Sequence, residues 1–417
     1  MTVLIKNVRL KDEQKDILIE GNIIKKIASR IDRNADIEID GEGKGAIPSF
    51  INGHTHASMT LMRGYADDMV LHEWLEKKIW PFEEKLMEED VYWGTRLACL
   101  EMIKSGTTFF NDMYWHYHGS ARAVEDSGIR SAVSAVFIDM FDSKKSEEQI
   151  QLNIQLFEET KQYSNRVMFA LGPHALYTVS EKSLRWAKQF SDEHSLLIHI
   201  HLSETEREVS DCIKRHGKRP VEYLESIGFL GPNIIAAHVI WVNDREIELL
   251  KYHDVKVVYC PTSNMKLSAG VFSYQKLKEA GLTIALGTDG CAANNNLDML
   301  EEMKTAALLQ KLNDKDPTVL SAQEVFDIAT LEGARVFGLN CGEIKEGNLA
   351  DLLLVDLKHL HLIPNHHLIP NLVYAAHGSC VNTTICDGKI IMQNGKVEGE
   401  EEVLEKAQEV VMKLTSL

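Results

Sequence analysis

Apolar and polar positions along the chain fall into two kinds of pattern. At both ends, short β-type runs are separated by Asn, Asp and Gly. They lie at 3–5, 16–20 and 23–27 near the start and at 350–356 and 383–397 near the finish, the last turning at Asp387-Gly388 and Asn394-Gly395. Neither end is large enough for a comfortable core of its own. The two are therefore expected to pair into one small β-sandwich domain, residues 1–46 with 345–417, the second part closing with a helix.

The middle reads differently. Eight apolar runs of strand length, at 46–53, 107–112, 130–137, 167–174, 196–202, 234–238, 255–260 and 282–287, alternate with amphipathic stretches. Residues 88–104 illustrate the latter, with Val91, Leu97, Leu100 and Ile103 on one side and Gly106 as the stop. Eight strands separated by helices predict an α/β fold, a (β/α)8 TIM barrel over residues 47–344. The stretch 57–90 is too long for an ordinary connection and is expected to cover the barrel mouth.

Composition narrows the function classes. With 44% hydrophobic and 26% charged residues, the 417-residue chain is too apolar to be disordered. Its net charge of −17 repels phosphate backbones and sets nucleic acid aside as a partner. No apolar run reaches the length of a membrane span, and the start of the chain lacks a secretory pattern. Seven scattered cysteines without a Cys-x-x-Cys pair read as small buried apolar residues in a reducing cytoplasm. A homo-oligomer stays open.

Barrel enzymes place their chemistry at the C-terminal strand ends. Strand one closes with Asn52-Gly53-His54-Thr55-His56, and strand four with Gly172-Pro173-His174. Strand five runs Ile198-His199-Ile200-His201-Leu202-Ser203-Glu204, strand six ends in Ala236-Ala237-His238, and strand eight is followed by Thr288-Asp289-Gly290. Two histidines two apart on a strand face the same way, which suits two imidazoles on one metal. The pattern alone says little, since His116/His118 and His199/His201 share it. Taken singly, each strand-end His is an ordinary surface or core residue. Five polar strand ends on one rim point to metal chemistry.

As a set, His54-x-His56, a strand-five His with Glu three residues on, a strand-six His and Asp289 resemble the amidohydrolase superfamily over nearly the whole chain. That resemblance implies metal ligands at His54, His56, His201 and Asp289. It makes Glu204 the proton shuttle and His238 the group that orients and helps to activate the attacking water. His199 is left as a barrel-interior residue. Two-metal members bridge their ions with a strand-four lysine, which 167–174 lacks. One divalent ion is therefore expected, Zn²⁺ first, with Fe²⁺ or Mn²⁺ also suited to three nitrogens and a carboxylate. The implied reaction is hydrolytic deamination: activated water attacks an amidine carbon, Glu204 protonates the ring nitrogen, and Asp289 relays a proton to the departing amine.

Leu61-Met62-Arg63-Gly64, Trp80-Pro81-Phe82-Glu83, His174 and Asn294-Asn295 are similar to the 5-methylthioadenosine/S-adenosylhomocysteine deaminase group. By that similarity Glu83 binds the ribose hydroxyls and His174 the adenine ring; without it, Glu83 reads as a solvated acid at a helix start. Members active on S-adenosylhomocysteine can carry a strand-three arginine where this chain has Ser134-Ala135-Val136. Residues 137–142 instead look like relatives that accept 5′-deoxyadenosine. The expected partner is thus a small-molecule nucleoside, a 5′-substituted adenosine or adenosine itself. The alternatives are a deaminase of free guanine or cytosine, a triazine chlorohydrolase-like enzyme, and a catalytically silent barrel scaffold.

Overall fold

The computed structural model describes residues 1–415. The first strands, β1 (Thr2–Leu10), β2 (Glu13–Glu20) and β3 (Ile23–Ala28), form an antiparallel meander, and β4 (Ile37–Asp40) lies parallel to β1. The tight β2–β3 turn needs a left-handed residue, supplied by Gly21 at φ +62°. The next strand, β5 (Lys44–Pro48), also joins this sheet.

Eight parallel strands follow: β6 (Phe50–Thr55), β7 (Thr107–Tyr114), β8 (Arg130–Phe137), β9 (Val167–Pro173), β10 (Leu197–Leu202), β11 (Ile234–His238), β12 (Lys256–Tyr259) and β13 (Ile284–Leu286). The chain then returns to the terminal sheet as β14 (Leu352–Asp356), β15 (Val381–Cys386) and β16 (Lys389–Gln393). That mixed sheet runs in the order β16-β15-β14-β5-β1-β2-β3 and encloses its own apolar core, with Val3, Ile17, Ile39, Leu352 and Ile385 in one cluster. The ends of the chain do pair, as the pattern predicts.

One expected strand is two. Residues 46–53 divide at Ser49 between β5, paired with β14, and β6, the first barrel strand. Pro48 has no N–H to continue a ladder. Two residues later the Phe50 N–H bonds Gly106 O at 3.0 Å, and the chain has changed sheets.

The eight-stranded sheet closes at the β6–β13 seam through side chains and single backbone bonds. Asp289 N donates to His54 O at 2.9 Å, and Thr288 N donates to Asn52 Oδ1 at 3.0 Å. The approach demands glycine: a Cβ on Gly287 would lie 2.8 Å from His54 N. Below the mouth, Ile51, Phe109, Ala132, Ala170, Ile235, Val258 and Ala285, one from each of seven strands, pack together with Phe337 and Cys341 as a plug.

The helix Glu88–Ser105 ends at Gly106, which is left-handed at φ +96°, as the stop signal predicts. Ahead of it, 57–87 folds into short helical turns whose Met62, Trp74, Ile79 and Phe82 form a separate apolar cluster over the barrel mouth. The terminal helix Glu400–Thr415 adds Ala407, Val410 and Leu414 to the same cluster. All seven cysteines are buried free thiols. Among the described residues, no helix is long and apolar enough to cross a membrane.

Candidate active site

The barrel brings the candidate ligands together from two strand ends and a loop. His54 lies in β6 and His56 directly follows it, His201 lies in β10, and Asp289 lies three residues past β13. Asp289 Oδ1 is 3.5 Å from both His54 Nε2 and His56 Nε2, and His56 Nε2 is 3.3 Å from His201 Nε2. Two overlapping triplets, His54/His56/Asp289 and His54/His201/His238, each hold their ligating atoms within 4.8 Å.

The surrounding bonds decide which nitrogen each ring turns inward. His56 Nδ1 lies 2.7 Å from Met113 O, and His201 Nδ1 lies 2.8 Å from His174 O. A carbonyl only accepts, so both Nδ1 atoms carry the proton and both Nε2 atoms face the centre with a free lone pair. His54 Nε2 is buried there with no hydrogen-bond partner. Unpaired imidazole nitrogens converging with a carboxylate are a donor set that a cation satisfies, so the residues fit a metal ion. No lysine lies on β9 to bridge a second one.

Burial lowers His54 to about 4, and it holds His199 and His201 well below the usual histidine value. Burial works to raise Asp289, but the surrounding imidazoles outweigh it and keep its carboxyl well below the usual range. Glu204 is raised by burial, against the opposing pull of His238. For His238, burial pushes down while the Glu204 and Asp289 carboxylates prevail and raise it. Its Nε2 stands 4.0 Å from Glu204 Oε1. Three of these strand ends break out of extended geometry through non-glycine residues in the left-handed region: Ser203 at φ +51°, His238 at +72° and Asp289 at +60°. Such backbone costs about 1–3 kcal/mol each and is kept where the surroundings over-determine it.

Beside this centre lies a cleft whose walls include Glu83, His174, Trp80 and Tyr177. Glu83 is not a solvated helix-start acid. It is partly buried, burial raises its pKa, and Trp115 Nε1 donates to Oε2 at 3.0 Å, with the buried Tyr114 hydroxyl also beside the carboxyl. His174 is held neutral by burial, down to about 3, with Nδ1 2.9 Å from Thr178 Oγ1. The Thr178 hydroxyl donates to Ala175 O, so in this arrangement His174 Nε2 accepts. Donating to a ring nitrogen would require Thr178 to turn its proton to Nδ1.

A family model for the amidohydrolase family matches residues 46–391. The chain belongs to the amidohydrolase family. A 5-methylthioadenosine/S-adenosylhomocysteine deaminase of Archaeoglobus fulgidus is 50% identical, with 99% of each chain covered. A 5′-deoxyadenosine deaminase of Methanoregula boonei is 47% identical over 97% of this chain and 93% of that one. A crystal structure of an adenosine deaminase from Xanthomonas campestris with bound zinc superposes with a TM-score of 0.94 at 31% identity, covering 100% of this chain and 99% of that one.

In this amidohydrolase, several contributors carried no signal in the sequence pattern. His199 lies deeper in the barrel on the column Leu197–His199–His201, as alternation predicts. It is more than interior filling: its Nε2 is 2.6 Å from His54 Nδ1 and fixes that ring. The short helix Pro261–Lys266 that follows β12 supplies Asn264, whose Oδ1 is 2.9 Å from His238 Nδ1, and Ser263, whose hydroxyl donates to Asp289 Oδ2 at 2.5 Å. The polar run Thr262-Ser263-Asn264 is the local feature they share, and it does not mark which side chain turns inward. Asn294 bonds Thr288 O and Glu302, so it braces the Asp289 loop and faces away from the cleft centre.

Proposed function

We propose that this chain is a metal-dependent hydrolytic deaminase that converts a 5′-substituted adenosine, or adenosine itself, to the inosine analogue and ammonia. The carrying observation is the convergence of three bare imidazole nitrogens and Asp289, with Glu204 and His238 4.0 Å apart beside them. His54, His56, His201 and Asp289 would hold one divalent ion, with Zn²⁺ the best match to the donors. When bound, such an ion supplies the Lewis acidity that makes water nucleophilic near neutral pH.

The chain's own groups handle the protons. Glu204 delivers a proton to N1 as oxygen adds to C6 of the purine, and burial, which raises its pKa, favours the protonated form that this step needs. Asp289 collects the first proton that water loses and returns it to the exocyclic amine; the C6–N bond then breaks and ammonia leaves as the hydroxyl on C6 becomes the carbonyl and gives its proton back to Glu204. His238, oriented through Asn264, stabilises negative charge building on the new oxygen. Glu83 offers one carboxylate oxygen to the ribose diol while Trp115 holds the other.

Past Glu83, the shared walls Val136 and Ile138 lead into a cavity of about 860 Å³ toward Met140 and Leu152. Val136 and Ile138 make the neck of this cavity apolar, which suits the small 5′ group of 5′-deoxyadenosine or 5-methylthioadenosine, while Lys145, Gln149 and Glu159 farther out offer polar partners to a longer, charged 5′ substituent. The buried free thiols support a cytoplasmic setting. A free-base deaminase leaves Glu83 without a task.

The test is ammonia release from adenosine, 5′-deoxyadenosine, 5-methylthioadenosine, S-adenosylhomocysteine, guanine and cytosine, alongside metal analysis. Turnover of the nucleosides with about one ion per chain is expected. Turnover of guanine or cytosine alone overturns the nucleoside reading. A 2′,3′-dideoxy analogue that reacts as well as its diol removes Glu83 from substrate binding.

A further inference from the structure

Glu204 has an unusual mounting. Its carboxyl makes no hydrogen bond of its own among the described residues; its nearest charged neighbour is His238 Nε2 at 4.0 Å. A proton shuttle needs that freedom, yet it must also be aimed, because proton transfer depends on sub-ångström placement. With nothing gripping the side chain, the aim has to come from the backbone. The backbone there is under strain, with Ser203 left-handed at φ +51° immediately before Glu204.

One buried group answers to that strain. Glu208 is 3% exposed, and its two carboxylate oxygens accept from Ser203 N at 2.9 Å and Glu204 N at 2.8 Å. Local sequence would send it elsewhere. Thr205-Glu206-Arg207-Glu208 has capping-box spacing at the start of the helix Glu206–His216, and in that motif the fourth residue returns its side chain to the N-cap N–H. Thr205 does its half, accepting from Glu208 N at 3.1 Å. Glu208 reaches past Thr205 and clamps the two preceding peptides instead. The same turn is held from its other side, where Ser203 O accepts from Ile240 N and Trp241 N at 3.1 and 2.9 Å, just beyond His238. Placing a carboxylate in this site is costly, since burial pushes Glu208 up to about 7.

We infer that Glu208 is a positioning residue for the reaction: its bidentate grip on the Ser203 and Glu204 amides holds the strained turn that aims the Glu204 carboxyl at the substrate. This rests on the reading of Glu204 as proton shuttle. Glu208 makes no hydrogen bond to the ligands and does not line the substrate cleft, so its effect should pass chiefly through Glu204.

The experiment is a double-variant cycle on the metal-loaded enzyme with adenosine or its best 5′ derivative. Glu208→Gln keeps the volume but can accept only one of the two amides. Its kcat should fall about 10- to 100-fold, the scale of a small misplacement, with KM within about twofold. Metal content and Tm are read on the same samples. Glu204→Gln/Glu208→Gln should be no more than about twofold slower than Glu204→Gln, because a misaimed shuttle that is already gone costs nothing further. Glu208→Ala should be slower than Glu208→Gln; should it not fold, the Gln variant decides. The inference is overturned if Glu208→Gln keeps kcat within about twofold of wild type, if KM rises in step with the loss, or if the losses multiply in the double variant. Full activity in Glu204→Gln would instead bring down the shuttle assignment, a separate failure visible in that single variant.

Discussion

At the start of β8, buried Arg130 is ion-paired to Asp351 and Asp387, Arg166 Nη2 reaches Asp387 Oδ2 at 2.7 Å, and Asn22 Nδ2 reaches its Oδ1 at 3.1 Å. At the opposite ends of the strands, five imidazoles, from His54, His56, His199, His201 and His238, crowd round one carboxylate, and His54 Nε2 has no partner. Both clusters are largely buried and polar, but only the first pairs its charges. Apart from Arg166 Nε, its opposite charges satisfy one another and tie the terminal sheet to the barrel. The second gathers like groups whose lone pairs converge, and it becomes complete only with a cation and a substrate. Buried polarity that is fully paired fastens the fold; buried polarity left unpaired is where chemistry can occur.

The sharpest way to break this contrast is to damage each end separately. Glu204→Gln should lower kcat about 100- to 10,000-fold while metal content and Tm stay near wild type, measured by ammonia release and calorimetry. A matching loss of Tm would mean that the rim also carries stability. Arg130→Met leaves Asp351 and Asp387 buried beside an apolar side chain, and should cost about 3–5 kcal/mol in urea unfolding. Its kcat per metal-loaded chain should stay within about twofold; a large fall would make the lower cluster part of the active site.

The third variant probes how far the open cluster extends. His199→Ala removes the group that fixes His54, so metal affinity, read by chelator competition, should weaken about 10- to 100-fold. Unchanged affinity would return His199 to simple barrel filling.

The smallest effect is a pH slope. Glu302, which accepts from Asn294 on the Asp289 loop, is raised by burial from 4.5 to about 8. A raised folded value means that its contribution is fully present below the unfolded value and is lost as pH rises through the folded one. Tm should therefore decline between about pH 5 and 8, and Glu302→Gln should flatten that decline. Burial raises Asp387 too, but Arg130 outweighs it and the carboxyl sits below its usual value, so its contribution is lost only as pH falls into the acid range. An unchanged slope in Glu302→Gln would show that the rim acid is not the source.

Much of this organisation was legible one segment at a time. The eight middle strands, the helix stopped by Gly106 and the pairing of the two chain ends all follow from local periodicity and turn residues. The division of 46–53 was written in Pro48, but its consequence, a change of sheet, depended on β14 arriving from some 300 residues away to pair with β5. Strand ends bearing His or Asp were visible as candidates. Asn264, Ser263 and Glu208 were not, because Asn, Ser and Glu occur at many loop and helix starts and nothing local marks which ones turn inward.

Alternation along a strand is enough to say which imidazoles share a face, since side chains two apart point the same way whatever the strand packs against. It therefore placed His54 with His56 and His199 with His201. It took the closed barrel to turn His201 Nε2 to the centre while His199 spends its own on His54, and to bring Glu83 against Trp115 inside a cleft instead of water. Those outcomes depend on depth within the closed barrel and on acceptors brought from other strands. A hydrogen bond between residues 145 apart, such as His54 and His199, leaves no trace in the periodicity of either segment.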